Sequence, residues 1–322
     1  MEKIIINKNN KKILFTPGPS SLSVENIKYL EPSFGRGDRK YQETENFVLN
    51  KIKAMSGKKN ISRMQGAGSL AIEIMIHNFL YGKILIIDTG TYSQRLEQIC
   101  NFQKINTKKI SSIKKINWRK IGSINSKFDW IVACYTETSI GLKLDISDLK
   151  NLKKKCNSKL MLDATASFGL EAGHYNADVM SFSSCKGLFG LTGACFICYD
   201  QNPDNEVKSF NLNLKNHLEK KMTGPYHSIC SLFKILKNYN DFKYSVIENK
   251  KKFLKKFQEV VAYSKINQPN LCTYSSKKVF SNKKNVILYQ SRANITGSVV
   301  CHLGEVHLKR KSKGKIVDYL RV

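Results

Sequence analysis

Ser181-Phe182-Ser183-Ser184-Cys185-Lys186-Gly187-Leu188-Phe189-Gly190 places one lysine in an otherwise uncharged run of small and apolar residues, in a chain whose lysines usually come in clusters. An apolar setting disfavours an ammonium ion and leaves the free amine nucleophilic toward carbonyl carbon. Lys186 is therefore a candidate Schiff-base lysine. The plainer alternative is a stem lying along a strand end with its head in water. What separates the two is the company the lysine keeps.

At 322 residues and 41% apolar composition, the chain can bury a substantial core and suits one large domain plus a smaller one. No apolar run approaches the roughly 20 residues of a membrane span. The start, Met1-Glu2-Lys3-Ile4-Ile5-Ile6-Asn7, lacks the long apolar core of a secretory signal, so a cytoplasmic protein is expected. The net charge of +29 admits a nucleic-acid partner. Its lysines, however, are scattered among Asn and Ile without an aromatic and arginine stripe, as an AT-rich genome would produce. The charge is read as compositional and as compatible with an anionic substrate. The nine cysteines sit mostly in apolar runs and read as buried thiols. Cys195-Phe196-Ile197-Cys198 reads as a strand, where residues three apart face opposite ways, so no metal or redox role is expected.

Working outward from Lys186, strands and helices alternate, which predicts a three-layer α/β fold around a mainly parallel sheet. Strands are expected over 61–65, 83–88, 129–134, 159–163, 178–182 and 194–199, with helices over 41–55, 69–80, 92–101 and 146–156. Such continuously apolar strands belong in a sheet covered on both faces. Helices over 225–237 and 242–263 follow, then weak strands over 285–289 and 316–320, with 270–284 read as a polar surface loop. A large domain is placed at 1–240, with residues 1–22 crossing to a small domain at 241–322.

In open α/β sheets, ligands sit at the carboxyl ends of the strands. The first strand runs into Gln65-Gly66-Ala67-Gly68-Ser69, where glycines and a helix start suit a phosphate or an ordinary tight turn. The next delivers Asp88-Thr89-Gly90-Thr91-Tyr92, an aromatic that could stack on a planar ring or pack its own helix. Then come Tyr135-Thr136-Glu137-Thr138-Ser139-Ile140-Gly141, with hydroxyls for a ligand or for turn capping, and Asp163-Ala164-Thr165-Ala166-Ser167. A carboxylate ending an apolar strand is costly to bury without a cation, and a protonated pyridine nitrogen would be one. The next strand delivers Lys186. A phosphate cradle, an aromatic, hydroxyls, an acid and an amine follow in the order that pyridoxal phosphate requires.

These blocks, together with Thr16-Pro17-Gly18-Pro19, resemble the class-V aminotransferases among the fold-type-I pyridoxal-phosphate enzymes, over nearly the whole chain. The resemblance implies that Lys186 forms the Schiff base with the cofactor and shuttles the proton. Asp163 would pair with the pyridinium nitrogen, Tyr92 would stack on the ring, and Thr165 would touch its other face. Thr138 would bond the ring hydroxyl, while Gly68, Ser69 and Ser184 would contact the phosphate. The family shares its sites across a homodimer, so Thr223, with Tyr226 or His227, would act on the neighbouring copy. Arg321 would hold the substrate carboxylate and Arg36 a second acidic group. The chain stops one residue after Arg321 where relatives continue, so a shortened small domain is expected. Cys185 departs from the family's usual amide or aromatic before the lysine and reads as a packing variation.

The implied reaction moves an amino group from a small donor, 2-aminoethylphosphonate or a small amino acid, to a 2-oxo acid such as pyruvate. Two alternatives stand beside it. One is a lyase or cysteine desulfurase of the same superfamily, against which Tyr92 and Cys185 occupy positions where those enzymes carry histidine. The other is a basic nucleic-acid-binding protein on a degenerate enzyme fold, which predicts salt-sensitive binding.

Overall fold

Alternation along three apolar strands shows why the main sheet is buried on both sides. Leu85, Ile87, Ile131, Ala133, Leu160 and Leu162 join one core cluster, while their chain neighbours Ile84, Ile86, Trp130, Val132 and Met161 join another. Successive side chains on a strand point to opposite faces, so each strand feeds two cores at once.

The structure is a computed structural model that describes residues 2–30, 35, 37–203, 205–307 and 316–322. Its strands are β1 (Ile13–Phe15), β2 (Asn60–Gln65), β3 (Gly82–Asp88), β4 (Ile110–Asn117), β5 (Trp130–Cys134), β6 (Thr136–Glu137), β7 (Leu142–Lys143), β8 (Lys159–Asp163), β9 (Val179–Ser183), β10 (Ala194–Tyr199), β11 (Cys272–Ser275), β12 (Val286–Leu288) and β13 (Ser298–Cys301). The main sheet has seven strands in the order β2-β10-β9-β8-β5-β3-β4. Only β10 runs antiparallel to its neighbours, so the other six end at one edge. Helices Gly68–Phe79 and Thr91–Thr107 send side chains into one core, and Arg39–Ser56, Ile146–Cys156 and Tyr226–Lys237 into the other. Among the described residues, no helix is long and apolar enough to cross a membrane.

A third apolar cluster joins Ile13 and Phe15 to Phe253, Phe257, Val300 and Leu320. Here β1 pairs in parallel with β12, and β11 pairs antiparallel with β13. The opening segment is thereby tied to the last third of the chain.

Several elements differ from expectation for local reasons. The stretch 316–320 is a 3-10 turn, Ile316–Tyr319, rather than a strand. Its buried residues Ile316, Val317 and Leu320 recur with helical spacing, which one face of a turn can bury together. The supposed polar loop 270–284 contains the buried strand β11, because Thr273 and Ser275 satisfy their hydroxyls inside, against His302 and the Lys277 carbonyl. Strand β4 lacks the apolar run of the other strands because it is a lysine-bearing sheet edge with more than half its residues exposed, a composition that blunts pairing with other chains.

One buried ion network staples helix Arg39–Ser56 to the sheet. Glu45, 1% exposed, accepts from Arg63 Nε on β2 at 2.7 Å and from Lys220 Nζ at 2.6 Å, and the Tyr41 hydroxyl donates to it at 3.0 Å. Burial pushes the Glu45 carboxyl up, but the bonds from Lys220 and Arg63 outweigh it and hold the group below its ordinary range. Removing one partner of a buried pair strands the other charge. Glu45→Gln is therefore expected to destabilise the protein by about 3 kcal/mol in urea unfolding at neutral pH. Because the folded carboxyl is depressed, this contribution is present above the unfolded carboxylate range and is lost as pH falls through the folded value. The two unfolding midpoints should converge in acid.

Candidate active site

The carboxyl ends of β2, β3, β5, β8 and β9 open on one cleft of about 520 Å³. That volume lies within the roughly 300–1,000 Å³ of small-molecule sites. Lys186 stands in the turn after β9, with Nζ 5.7 Å from the centroid of the Tyr92 ring. Its stem is confined by the Thr16-Pro17-Gly18-Pro19 turn. Gly18 has φ +118°, and a Cβ there would lie 3.3 Å from Lys186 Cγ. The neighbouring Ser20 N–H donates to the Cys185 carbonyl at 2.7 Å.

Asp163 ends β8, in register with Cys134 on one side and Ser181 on the other, and is 4% exposed. Its Oδ1 accepts from the Thr165 N–H at 2.9 Å, a neutral donor that does not cancel the charge. Burial, with Asp163 and Glu137 adding to it, pushes the Cys134 thiol beside it well above its usual range, although Lys186 pulls the other way, and it stays a neutral thiol.

Three threonine hydroxyls lining the cleft, those of Thr136, Thr138 and Thr165, are buried without a hydrogen-bond partner among the described residues. Each such orphan costs about 1–3 kcal/mol. Three together in a cleft of ligand size are available to bond a ligand. At the end of β2, helix Gly68–Phe79 starts at the cleft wall after Ala67, which supplies no side-chain cap. Its first N–H groups and the helix dipole suit an anion. The cleft thus offers an anion cradle, a buried carboxylate with no ion pair among the described residues, hydroxyls and an amine, a set that fits a planar ligand carrying a phosphate and a protonated ring.

The charge along the lining is lopsided. Lys186, Arg95 and Arg292 face one carboxylate, Asp163. The Arg95 guanidinium also lies 5.3 Å from the Tyr92 ring centroid.

Of the expected site residues, Gly68, Ser69, Tyr92, Thr138, Asp163, Thr165 and Lys186 all line this cleft. Others do not. Ser184 is turned away, its hydroxyl donating to the Leu191 and Ala194 carbonyls. Ser183, one step earlier, faces the cleft instead, because successive residues leaving a strand point opposite ways. Arg321 is not on the lining. It is exposed, bridges to Phe280 and spends its guanidinium on the Asp318 and Leu320 carbonyls. Thr223 lines a separate hollow with Arg63, Gln65 and His217. Arg36 lies outside the described residues.

Thr136, Arg95, Tyr289 and Arg292 are lining residues not singled out as ligand contacts by the sequence. Arg95 carried a usable signal, since it sits three residues after Tyr92 on the same helix face. Tyr289 and Arg292 carried none. They reach the cleft because β12 pairs with β1 and because the Ser291 hydroxyl donates to the Ser139 carbonyl.

The profile of the family described as Aminotransferase class-V matches residues 33–221, more than half of the chain. The chain belongs to the class-V aminotransferase family. It is similar to 2-aminoethylphosphonate–pyruvate transaminase of Pseudomonas putida, 24% identical over 257 residues that cover 72% of this chain and 70% of the relative. Its fold is similar to alanine–glyoxylate aminotransferase from Nostoc sp., with TM-score 0.78, 15% identity and coverage of 96% and 94% of the two chains. An aspartate aminotransferase from Thermus thermophilus gives TM-score 0.78 at 14% identity, covering 95% and 97%. The three-layer architecture is that of the fold-type-I aminotransferases, and membership of the class-V family makes the chain an aminotransferase.

The placement of the two arginines yields a direct comparison. Loss of a charge-assisted bond to substrate costs about 1.5–3 kcal/mol, or about 10- to 100-fold. Arg292→Ala is expected to lower kcat/KM for amino transfer by about that factor. Arg321→Ala should stay within about twofold of the parent in the same assay.

Proposed function

We propose that this class-V aminotransferase holds pyridoxal 5'-phosphate in the cleft and moves an amino group from a small anionic donor to a 2-oxo acid. 2-Aminoethylphosphonate as donor and pyruvate as acceptor are the pair carried in the name of the P. putida relative. The observation that supports the reading is that three orphaned threonine hydroxyls, a buried Asp163 without an ion pair among the described residues, and several cationic side chains share one cleft.

The start of helix Gly68–Phe79, at Gly68 and Ser69, would take the phosphate, and Asp163 would match the ring nitrogen. Thr138 would take the ring hydroxyl, with Tyr92 and Thr165 on the two faces. When bound, the cofactor supplies an electrophilic carbon and a ring that accepts electrons. Lys186, as a free amine, takes the proton from the amino-bearing carbon of the donor and returns it on the far side of the transfer. Arg95 and Arg292 hold the donor's acidic group and orient that carbon toward Lys186, and the apolar strand ends exclude water.

The reading extends to a cytoplasmic homodimer in which Thr223, with Tyr226 or His227, reaches the neighbouring copy's cleft. Its support is that Thr223 lies apart from the cleft of its own chain.

Titration of purified protein with pyridoxal phosphate is expected to give a visible absorption band that Lys186→Ala lacks. With the cofactor bound and pyruvate present, 2-aminoethylphosphonate should yield alanine faster than neutral amines do. Absence of the band from the parent protein, or alanine formation from no donor in a broad screen, would sink the reading. Sedimentation checks the assembly, and a fully active monomer would remove the dimer.

A further inference from the structure

We propose that Glu137 is a positioning residue that sets both walls of the cleft through a single buried carboxylate. The inference rests on the reading that a planar cofactor binds beneath Tyr92. Glu137 is 0% exposed and is held by the β6–β7 pair, opposite Leu142. Its Oε2 accepts from the N–H groups of Tyr92 at 2.9 Å and Ser93 at 3.3 Å, and from the Thr89 hydroxyl at 3.4 Å. Its Oε1 accepts from the Ser139 N–H at 3.2 Å and from the Ser139 hydroxyl.

Helix Thr91–Thr107 needs this outside help because its N-cap is Gly90, which has no side chain to offer the free N–H groups. A carboxylate at that end also meets the positive end of the helix dipole. Gly90 has φ +140°, and a Cβ there would lie 3.3 Å from Glu137 Cδ and 3.2 Å from Ser139 Oγ. The glycine lets the carboxylate in. Burial pushes the Glu137 carboxyl above its ordinary range, and the bonds from Ser139, Tyr92 and Ser93 offset that only in part.

The same carboxylate governs the opposite wall. The Ser139 carbonyl, in the turn that Glu137 holds, accepts from the Ser291 hydroxyl, and Ser291 Oγ in turn accepts the Ala293 N–H at 2.9 Å. This segment carries Tyr289 and Arg292 to the cleft. Tyr92 on one side and Arg292 on the other are thus registered against Glu137, which itself does not line the cleft.

Glutamine has the same shape but accepts at one oxygen only, and its amide would present N–H groups to donors on the other side. The Ser93 hydroxyl accepts the Thr89 and Gly90 N–H groups at 2.9 Å each, so the helix start keeps part of its cap and the variant should fold. Charge-assisted bonds of this kind correspond to about a 10- to 100-fold change in a binding constant.

The test is a double-mutant cycle on the apo-protein, reading pyridoxal phosphate affinity by absorbance and the visible circular dichroism of the bound cofactor. Glu137→Gln is expected to weaken affinity by about tenfold or more and to reduce the dichroism, since the ring above the cofactor shifts. In a Tyr92→Ala background the same change should cost less than about threefold, because the ring that Glu137 places is gone. Asp145→Asn, at the cap of helix Ile146–Cys156, serves as the control and should alter neither reading. Unchanged affinity and dichroism in Glu137→Gln, or equal losses in both backgrounds, would overturn the proposal. If Glu137→Gln does not fold, Ser139→Ala removes one donor and keeps the carboxylate, and it must show the same non-additivity with Tyr92→Ala. Failure of the parent protein to bind the cofactor would count against the functional reading instead.

Discussion

A parallel strand covered on both faces can carry charge at low cost only where it ends. Everything at the cleft follows from that constraint. Strands β5, β8 and β9 are buried apart from Lys159 at the start of β8, and their charged groups, Asp163 and Lys186, stand at or just past the strand ends. Six strands of the main sheet share one direction, which brings their polar ends to a single edge. The chemistry is concentrated by the rule that keeps it out of the core.

That concentration leaves a deficit in the folded protein. Asp163 is buried with a backbone N–H for company, and three threonine hydroxyls have no partner among the described residues. A core built for stability alone would not hold them there, since replacing such groups by apolar ones of the same shape costs little. These groups line one cleft with Lys186, and Arg95 and Arg292 line it too, from its two sides. Elsewhere buried charge is matched, as in the Glu45, Arg63 and Lys220 group. What sets the cleft apart is that orphaned hydroxyls, a buried carboxylate and an amine share one hollow of ligand size.

The net charge of +29 gains a local meaning from this arrangement. Spread over the surface it says little about function, because scattered lysines are screened within about 10 Å at moderate salt. At the cleft, where Arg95 is half-buried and Arg292 exposed, the same sign of charge would act on the proposed anionic substrate at short range, with less screening than across the open surface. Location, rather than the total, makes the charge selective.

The sequence by itself determined the alternation of strand and helix, and with it the class of fold and which residues stand at strand ends. Those features are local: period-two burial, helical spacing, glycine stops and caps are written within ten or so neighbouring positions. Hence Asp163 and Lys186 could be located at strand ends before any coordinates, and so could Tyr92 at the head of its helix. Only the tertiary structure decided which face each side chain takes as a strand runs out, so that Ser183 and not Ser184 meets the cleft. It alone decided which arginine from the last third of the chain arrives, since Arg292 is delivered by the β1–β12 pairing and Arg321 is spent on neighbouring carbonyls. Contacts between segments more than 100 residues apart depend on the packing of every element between them, and no short stretch of sequence encodes that sum.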